Sequence, residues 1–124
     1  MKYIVFTLFA LILTLGEAAA SVGPGSYAYR AGPYGGPIRL QANFVAHDTC
    51  HAALTAYRGT PGGQFVGPDT IPATIVIGPN PHGCGYSPVV KRVMTLGGPR
   101  SVNLIQIFFV DPSGRLLKIE RVQI

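Results

Sequence analysis

The amino-acid sequence predicts a small α+β domain in which one short helix packs on a mainly antiparallel sheet of four to five strands, stapled by one disulfide. Three observations support this class. Apolar residues alternate at 38–44, helix-forming residues follow at 47–59, and residues 102–124 have the pattern of a hairpin. The sequence has two cysteines, Cys50 and Cys84, which we expect to be joined.

The first twenty residues have the pattern of a secretory signal peptide. Lys2 precedes a mainly apolar run from Tyr3 to Leu15, and three alanines end the segment before Ser21. The apolar run is too short to span a membrane as a stable helix. We therefore expect cleavage after Ala20 and export to the periplasm or the medium.

The chain after this segment is long enough for one hydrophobic core but not for two. Residues 21–37 are rich in glycine and proline, which predicts an irregular N-terminal arm that pairs only briefly at residues 27–30. Residues 38–124 are expected to form the folded domain. The arm contains candidate residues for stacking on sugars or bases, namely Tyr27, Tyr29, Arg30 and Tyr34. Alternatively, its tyrosines simply cover the surface of the domain.

Strict alternation of apolar and polar residues at 38–44 predicts an antiparallel strand with one solvated face. The segment from His47 to Gly59 is then predicted to be the helix. Asp48 or Thr49 is a suitable N-cap, Arg58 suits the C-terminal end, and the final glycine supplies a left-handed stop. A helix of this length is marginal alone, so it requires support from the sheet.

The middle of the chain alternates between loops and short apolar segments. Residues 59–71 and 78–87 contain turn residues throughout and predict loops, whereas residues 73–77 predict a buried strand. Residues 87–97 are ambiguous, because Ser87 and Pro88 favour a helix start while the β-branched residues that follow favour a strand. We expect a strand there.

The C-terminal segment gives the clearest structural prediction. Residues 102–110 are apolar on both faces, as in a central strand, and residues 116–124 return after Asp-Pro-Ser-Gly at 111–114. Those four residues are typical of a type I turn followed by a left-handed glycine, which is a common hairpin loop.

Export favours a disulfide between Cys50 and Cys84, because free thiols are uncommon in an oxidising compartment. Closing this loop stabilises a chain by about 3–4 kcal/mol in the chain-entropy model. In the reduced state both thiols could instead join His51 and His82 as metal ligands. Their spacing lacks the paired ligands of structural zinc sites, so we favour the disulfide.

Two closely spaced histidines suggest a metal site. His47 and His51 are four residues apart, so on a helix they would project from one face. Asp48 is adjacent, and the disulfide would bring His82 close. The hypothesis is a zinc or copper site built from His47, His51 and His82, or from two histidines and Asp48. Alternatively, these are surface imidazoles beside a helix start and a loop.

Removal of Lys2 and Glu17 leaves nine basic and four acidic residues, so the net charge stays at +5. This charge favours an anionic surface or an unknown macromolecule as the partner, although scattered basic residues also serve solubility. Nucleic acid is not the expected partner. No glycine-rich nucleotide motif is present, so the sequence predicts no cofactor.

The acidic residues are scattered singly, and no nucleophile motif is present, so we predict a secreted or periplasmic binding or accessory module without catalytic activity. A metal-binding protein is the alternative. A third possibility is a small basic hydrolase, since the predicted architecture broadly resembles the compact microbial ribonucleases. That resemblance covers size and architecture alone; Glu120 and Arg121 are far from the histidines in the sequence.

Overall fold

A computed structural model describes residues 25–32 and 36–124 of the 124-residue chain. The described residues form strands and loops only, and none of their segments is a helix that could cross a membrane. The predicted signal peptide, its cleavage site and Tyr34 lie outside the described residues. The strands are β1 (Tyr27–Arg30), β2 (Ile38–Val45), β3 (His51–Arg58), β4 (Thr70–Pro79), β5 (Val89–Leu96), β6 (Leu104–Val110) and β7 (Leu116–Gln123).

The strands form a sandwich of two sheets. The smaller sheet has the order β1-β2-β5 and the larger has the order β3-β4-β6-β7. All neighbouring pairs are antiparallel except β4 and β6, which are parallel. At the edges of the sandwich, β5 lies close to β3 and β1 lies close to β7.

The core lies between the two sheets and follows the alternating pattern of the strands. The smaller sheet contributes Ile38, Leu40 and Ala42 of β2, which confirms the strand predicted at residues 38–44. Alternate residues of β4 and β6 face them from the larger sheet. The rings of Phe44 and Phe109 pack against each other between the two sheets, with centroids 5.1 Å apart.

The predicted α+β class is wrong, because the described chain is all-β with seven strands in two sheets, and the segment expected to be a helix forms β3. The reason is the position of β4. This strand is buried along most of its length, and its backbone groups on the side away from β6 need hydrogen-bond partners. β3 supplies them in a register from His51 opposite Pro79 to Arg58 opposite Ala73. Tertiary pairing therefore overrides the high helix propensity of the alanines.

The residues that suggested helix ends act in turns instead. Asp48 Oδ1 accepts the backbone N–H of Cys50 at 2.9 Å, the same type of bond that an N-cap residue makes. Gly59 does adopt a positive φ of 126°, but at the end of a strand. A register shift between Ala53 and Thr55 interrupts the alternation of β3, so the strand has no clear period-two pattern in the sequence.

Other expectations are confirmed. The ambiguous segment at 87–97 contains strand β5, and the C-terminal hairpin is β6 and β7. Its turn contains Gly114 at φ 94°, whose N–H donates to the carbonyl oxygen of Asp111 at 2.9 Å. The brief pairing expected at residues 27–30 is β1, which adds to the edge of β2.

Candidate functional site

The connection between β2 and β3 brings three potential metal ligands together. Ligand atoms of His47, Asp48 and His51 all lie within 4.8 Å of one another. The local sequence explains this arrangement, because the turn closed by Asp48 and Cys50 folds the chain back between the two histidines. No helix is involved, so the helical spacing that suggested the pair is not the cause of their proximity.

Asp48 is the centre of this group. Its Oδ1 lies 2.6 Å from Nδ1 of His51, and its Oδ2 lies 3.5 Å from Nε2 of His47. The two imidazole rings are nearly edge to face, with centroids 5.0 Å apart. The His51 side chain is 24% exposed and that of His47 is 82% exposed, so the group lies at the surface with one partly sheltered member.

Hydrogen bonds favour the ionised form of the Asp48 carboxyl. The backbone N–H of Cys50 makes the largest contribution to lowering its pKa below the usual 3.8, and the hydrogen bond with His51 lowers it further. Asp48 is therefore a carboxylate at neutral pH, the form in which it binds a cation. The contact between Asp48 Oδ1 and His51 Nδ1 also orients the His51 ring. It leaves the other ring nitrogen, Nε2, available to bind a metal ion.

The two histidines also line a cavity of about 400 Å³. Its walls include apolar side chains from both sheets, such as Phe44, Ile77 and Leu117. Arg115 lines the cavity as well, close to the carboxylate of Asp111. A metal ion held by the histidines would therefore lie beside a recess rather than on a flat surface.

The disulfide fixes the start of β3. Cys50 and Cys84 are bonded, and the described residues contain no free cysteine. Hydrogen bonds lie on either side of the bond, from the Gly85 N–H to the Thr49 oxygen and from the Asn80 N–H to the Cys50 oxygen, both at 2.8 Å. Because both thiols are consumed, the alternative site with two cysteine ligands is not formed.

His82 does not belong to the cluster, although it lies in the loop that the disulfide holds. It is exposed, and its backbone N–H donates to Asn80 Oδ1 at 2.9 Å. Of the two alternatives, the structure thus brings together the residues of the one with two histidines and Asp48. The Asp-x-Cys spacing, which allows the carboxylate to accept the backbone N–H two residues later, is the sequence signal for Asp48 as its centre.

The candidate stacking residues are divided between two environments. Tyr27 and Tyr29 are exposed on β1. The Arg30 guanidinium is engaged elsewhere, since it donates to the carbonyl oxygens of Gly98, Pro99 and Val102. Arg30 therefore anchors β1 to the loop before β6 rather than offering a free cation.

The resemblance to ribonucleases loses its basis, because it depended on a helix and one antiparallel sheet. The Glu120 carboxylate accepts hydrogen bonds from Ser26, and Arg121 donates to Gln106. Both residues hold strands together.

No family model matches this chain, and no curated protein or solved structure shows significant similarity to it. A candidate function therefore has to follow from the residues and their geometry.

Proposed function

We propose that this protein is an exported binding module whose His47, Asp48 and His51 side chains bind zinc or copper(II). The observation that supports this function is the convergence of three ligand atoms within 4.8 Å. The turn uses Oδ1 of Asp48, and Oδ2 of the same carboxylate lies 3.5 Å from Nε2 of His47.

The donor set suits these two metals. Imidazole nitrogen binds zinc and copper well, and one carboxylate oxygen completes a common mixed site. Three protein ligands leave at least one coordination position for water or another molecule. Copper(II) should bind more tightly than zinc, following the general order of stability of divalent metal complexes.

Export is supported by two features. The N-terminal residues have the basic, apolar and small-residue parts of a signal peptide. The disulfide is a bond that persists in oxidising compartments and is rare in the cytosol.

A binding role, rather than catalysis, agrees with the local roles of the carboxylates. Asp48 and Asp111 each close a turn, Glu120 accepts from Ser26, and Asp69 accepts from the neighbouring Thr70. Each of these carboxylates thus accepts hydrogen bonds from nearby groups of the chain.

Calorimetric titration of the oxidised protein with zinc and copper(II) salts tests this function. We expect one ion per chain, with a dissociation constant tighter than about 100 µM for zinc. His51→Ala should abolish binding, and Asp48→Asn should weaken it while keeping an oxygen that closes the turn. His82→Ala is the matched control and should bind as the wild type does.

Two results would contradict the proposal. The first is the absence of zinc or copper binding tighter than about 1 mM. The second is a loss of affinity in His82→Ala that equals the loss in His51→Ala. A circular dichroism spectrum of each variant separates loss of the site from loss of the fold.

A further inference from the structure

The outer face of the smaller sheet carries an aromatic and basic surface that is separate from the metal site. Alternate residues of β1, β2 and β5 point to this face, and strand register places them in rows. We call it the tyrosine face; it consists of Tyr27, Tyr29, Arg39, Gln41, Lys91 and Val93. In its rows, Tyr29 is opposite Arg39, and Tyr27 and Val93 are opposite Gln41 from either side.

The two tyrosine rings are available to a ligand. Tyr27 and Tyr29 are 51% and 53% exposed, although each lies within a paired strand. The Tyr27 hydroxyl donates to Gln41 Oε1 at 3.0 Å, so this ring is held in place over the sheet. A shallow groove of about 140 Å³ lies between the tyrosines and Arg39.

The charge of this face has one sign. Arg39 and Lys91 are exposed, and neither makes an ion pair with another of the described residues. The carboxylates of residues 36–124 are in loops, turns or the larger sheet, at Asp48, Asp69, Asp111 and Glu120. The tyrosine face therefore presents aromatic rings and cations without a carboxylate to neutralise them, on a chain with a net charge of +5.

We propose that the tyrosine face binds an anionic polysaccharide, that is, a sugar polymer bearing sulfate or carboxylate groups. Tyrosine rings offer flat apolar faces against which sugar rings stack, while their hydroxyl groups and Gln41 form hydrogen bonds with sugar hydroxyls. Arg39 and Lys91 pair with the anionic substituents. A shallow, open groove across three strands suits a polymer that lies along the sheet.

The arrangement fits a polysaccharide better than a lipid surface, because the rings alternate with polar and charged residues and form no continuous apolar patch. The choice over nucleic acid depends on the export included in the proposed function, since sugar polymers are the common polyanions outside the cell. It does not depend on metal binding, because the tyrosine face and the cluster of His47, Asp48 and His51 share no residue.

Affinity measurements with four polymers test the proposal on the intact, oxidised protein. The probes are dextran sulfate, polygalacturonate, neutral dextran and single-stranded poly(dT). We expect both anionic polysaccharides to bind at least about tenfold more tightly than neutral dextran, with an affinity that falls as salt rises.

Variants separate this face from a general attraction by net charge. Tyr27→Ala and Tyr29→Ala should each weaken polysaccharide binding by about threefold to tenfold, whereas Tyr29→Phe should retain most of it because the ring remains. Tyr86→Ala removes an exposed tyrosine of the loop before β5 and is the matched control. Arg39→Gln should weaken binding more than Lys118→Gln, which removes the same charge from the exposed surface of β7.

The proposal is overturned if the tyrosine variants bind the anionic polysaccharides as tightly as the wild type does. It is also overturned if Lys118→Gln and Arg39→Gln weaken this binding by the same factor. Tighter binding of poly(dT) than of either polysaccharide would assign the face to nucleic acid instead. His51→Ala should leave polysaccharide affinity unchanged, so failure of the metal site and failure of this face give different results. Thermal unfolding of each variant shows that loss of binding is not loss of β1.

Discussion

Asp48 and His51 are in direct contact, with Oδ1 of the carboxylate 2.6 Å from Nδ1 of the imidazole. The same oxygen accepts the backbone N–H of Cys50. One atom thus orients a candidate metal ligand and fixes the backbone at the disulfide. Because Cys50 directly precedes His51, the covalent bond and the candidate site depend on the same short segment.

Replacing both cysteines by serine, in Cys50→Ser with Cys84→Ser, should destabilise the fold and weaken metal binding. Loss of a native disulfide from a small exported domain costs about 2–5 kcal/mol of unfolding free energy. The melting temperature should fall by at least about 8 °C, as followed by circular dichroism. Zinc affinity should also fall, because the start of β3 is no longer pinned to the loop at Cys84. Identical melting of wild type and double variant would show that the bond contributes nothing to stability.

Local sequence signals predicted several elements of this fold correctly. The alternation from Ile38 to Phe44 specifies β2, because one face of that strand is buried and the other is solvated. The turn at residues 111–114 specifies the hairpin of β6 and β7. The sequence has only two cysteines, which leaves one possible pairing, and the structure contains that disulfide. In each case, the deciding interaction lies within a few residues or involves only one possible pair.

Long-range pairing could not be predicted from the same signals. The parallel alignment of β4 with β6 and the division into two sheets depend on contacts between distant segments. The helix predicted at residues 47–59 is wrong because a capping aspartate, alanines and a terminal glycine favour a helix locally, whereas the pairing of β3 with β4 decides the outcome. The candidate metal site shows the same limit: the sequence indicates His47 and His51 but leaves open whether His82 or Asp48 is the third potential ligand, and the structure brings Asp48 to both histidines.

Metal affinity should fall as the pH is lowered from about 7.5 to about 5.5, because protons compete with the metal for imidazole nitrogen. Asp48 should not contribute to this change. Hydrogen bonds from Cys50 and His51 lower its pKa below 3.8, so it remains ionised across the whole range. Calorimetry with zinc at several pH values measures the dependence. His82→Ala is expected to follow the wild-type curve, and an affinity independent of pH would exclude imidazole ligands.

Asp111 should stabilise the β6–β7 hairpin at neutral pH but not in acid. Its Oδ1 accepts hydrogen bonds from the Ser113 hydroxyl and from the backbone N–H groups of Ser113 and Arg115. The Ser113 hydroxyl is the main cause of its lowered pKa, followed by the Arg115 backbone. A carboxyl whose pKa in the folded state is lower than its unfolded value of 3.8 stabilises the fold at pH values above 3.8. This stabilisation is lost as the pH falls through the pKa of the folded state.

Asp111→Ala should therefore lower the melting temperature by a few degrees at pH 7 and by less at about pH 3. Thermal unfolding of both proteins at the two pH values measures the difference. Asp69→Ala is the control, because the Asp69 carboxylate accepts only a long 3.4 Å bond from the Thr70 hydroxyl among the described contacts. A difference that grows in acid would contradict the assigned role of the ionised carboxylate.

The contact between Phe44 and Phe109 should make a large contribution to holding the two sheets together. Phe109 is 1% exposed and its ring meets that of Phe44 across the core, so Phe109→Ala removes apolar contacts and leaves a cavity. Such a change costs about 3–5 kcal/mol, measured by denaturant unfolding. Phe65→Ala removes the same side chain from a loop where it is 85% exposed, and should change stability by less than about 0.5 kcal/mol.

A double-mutant cycle with Phe44→Ala isolates the ring pair itself. If the two layers are joined by direct ring contact, the coupling energy should be about 0.5–1.5 kcal/mol. Additive effects of the two substitutions would mean that each ring packs independently against its aliphatic neighbours. The sandwich would then be held by the isoleucines of β4 and β6 against β2, with the ring contact as a consequence of that packing rather than a cause.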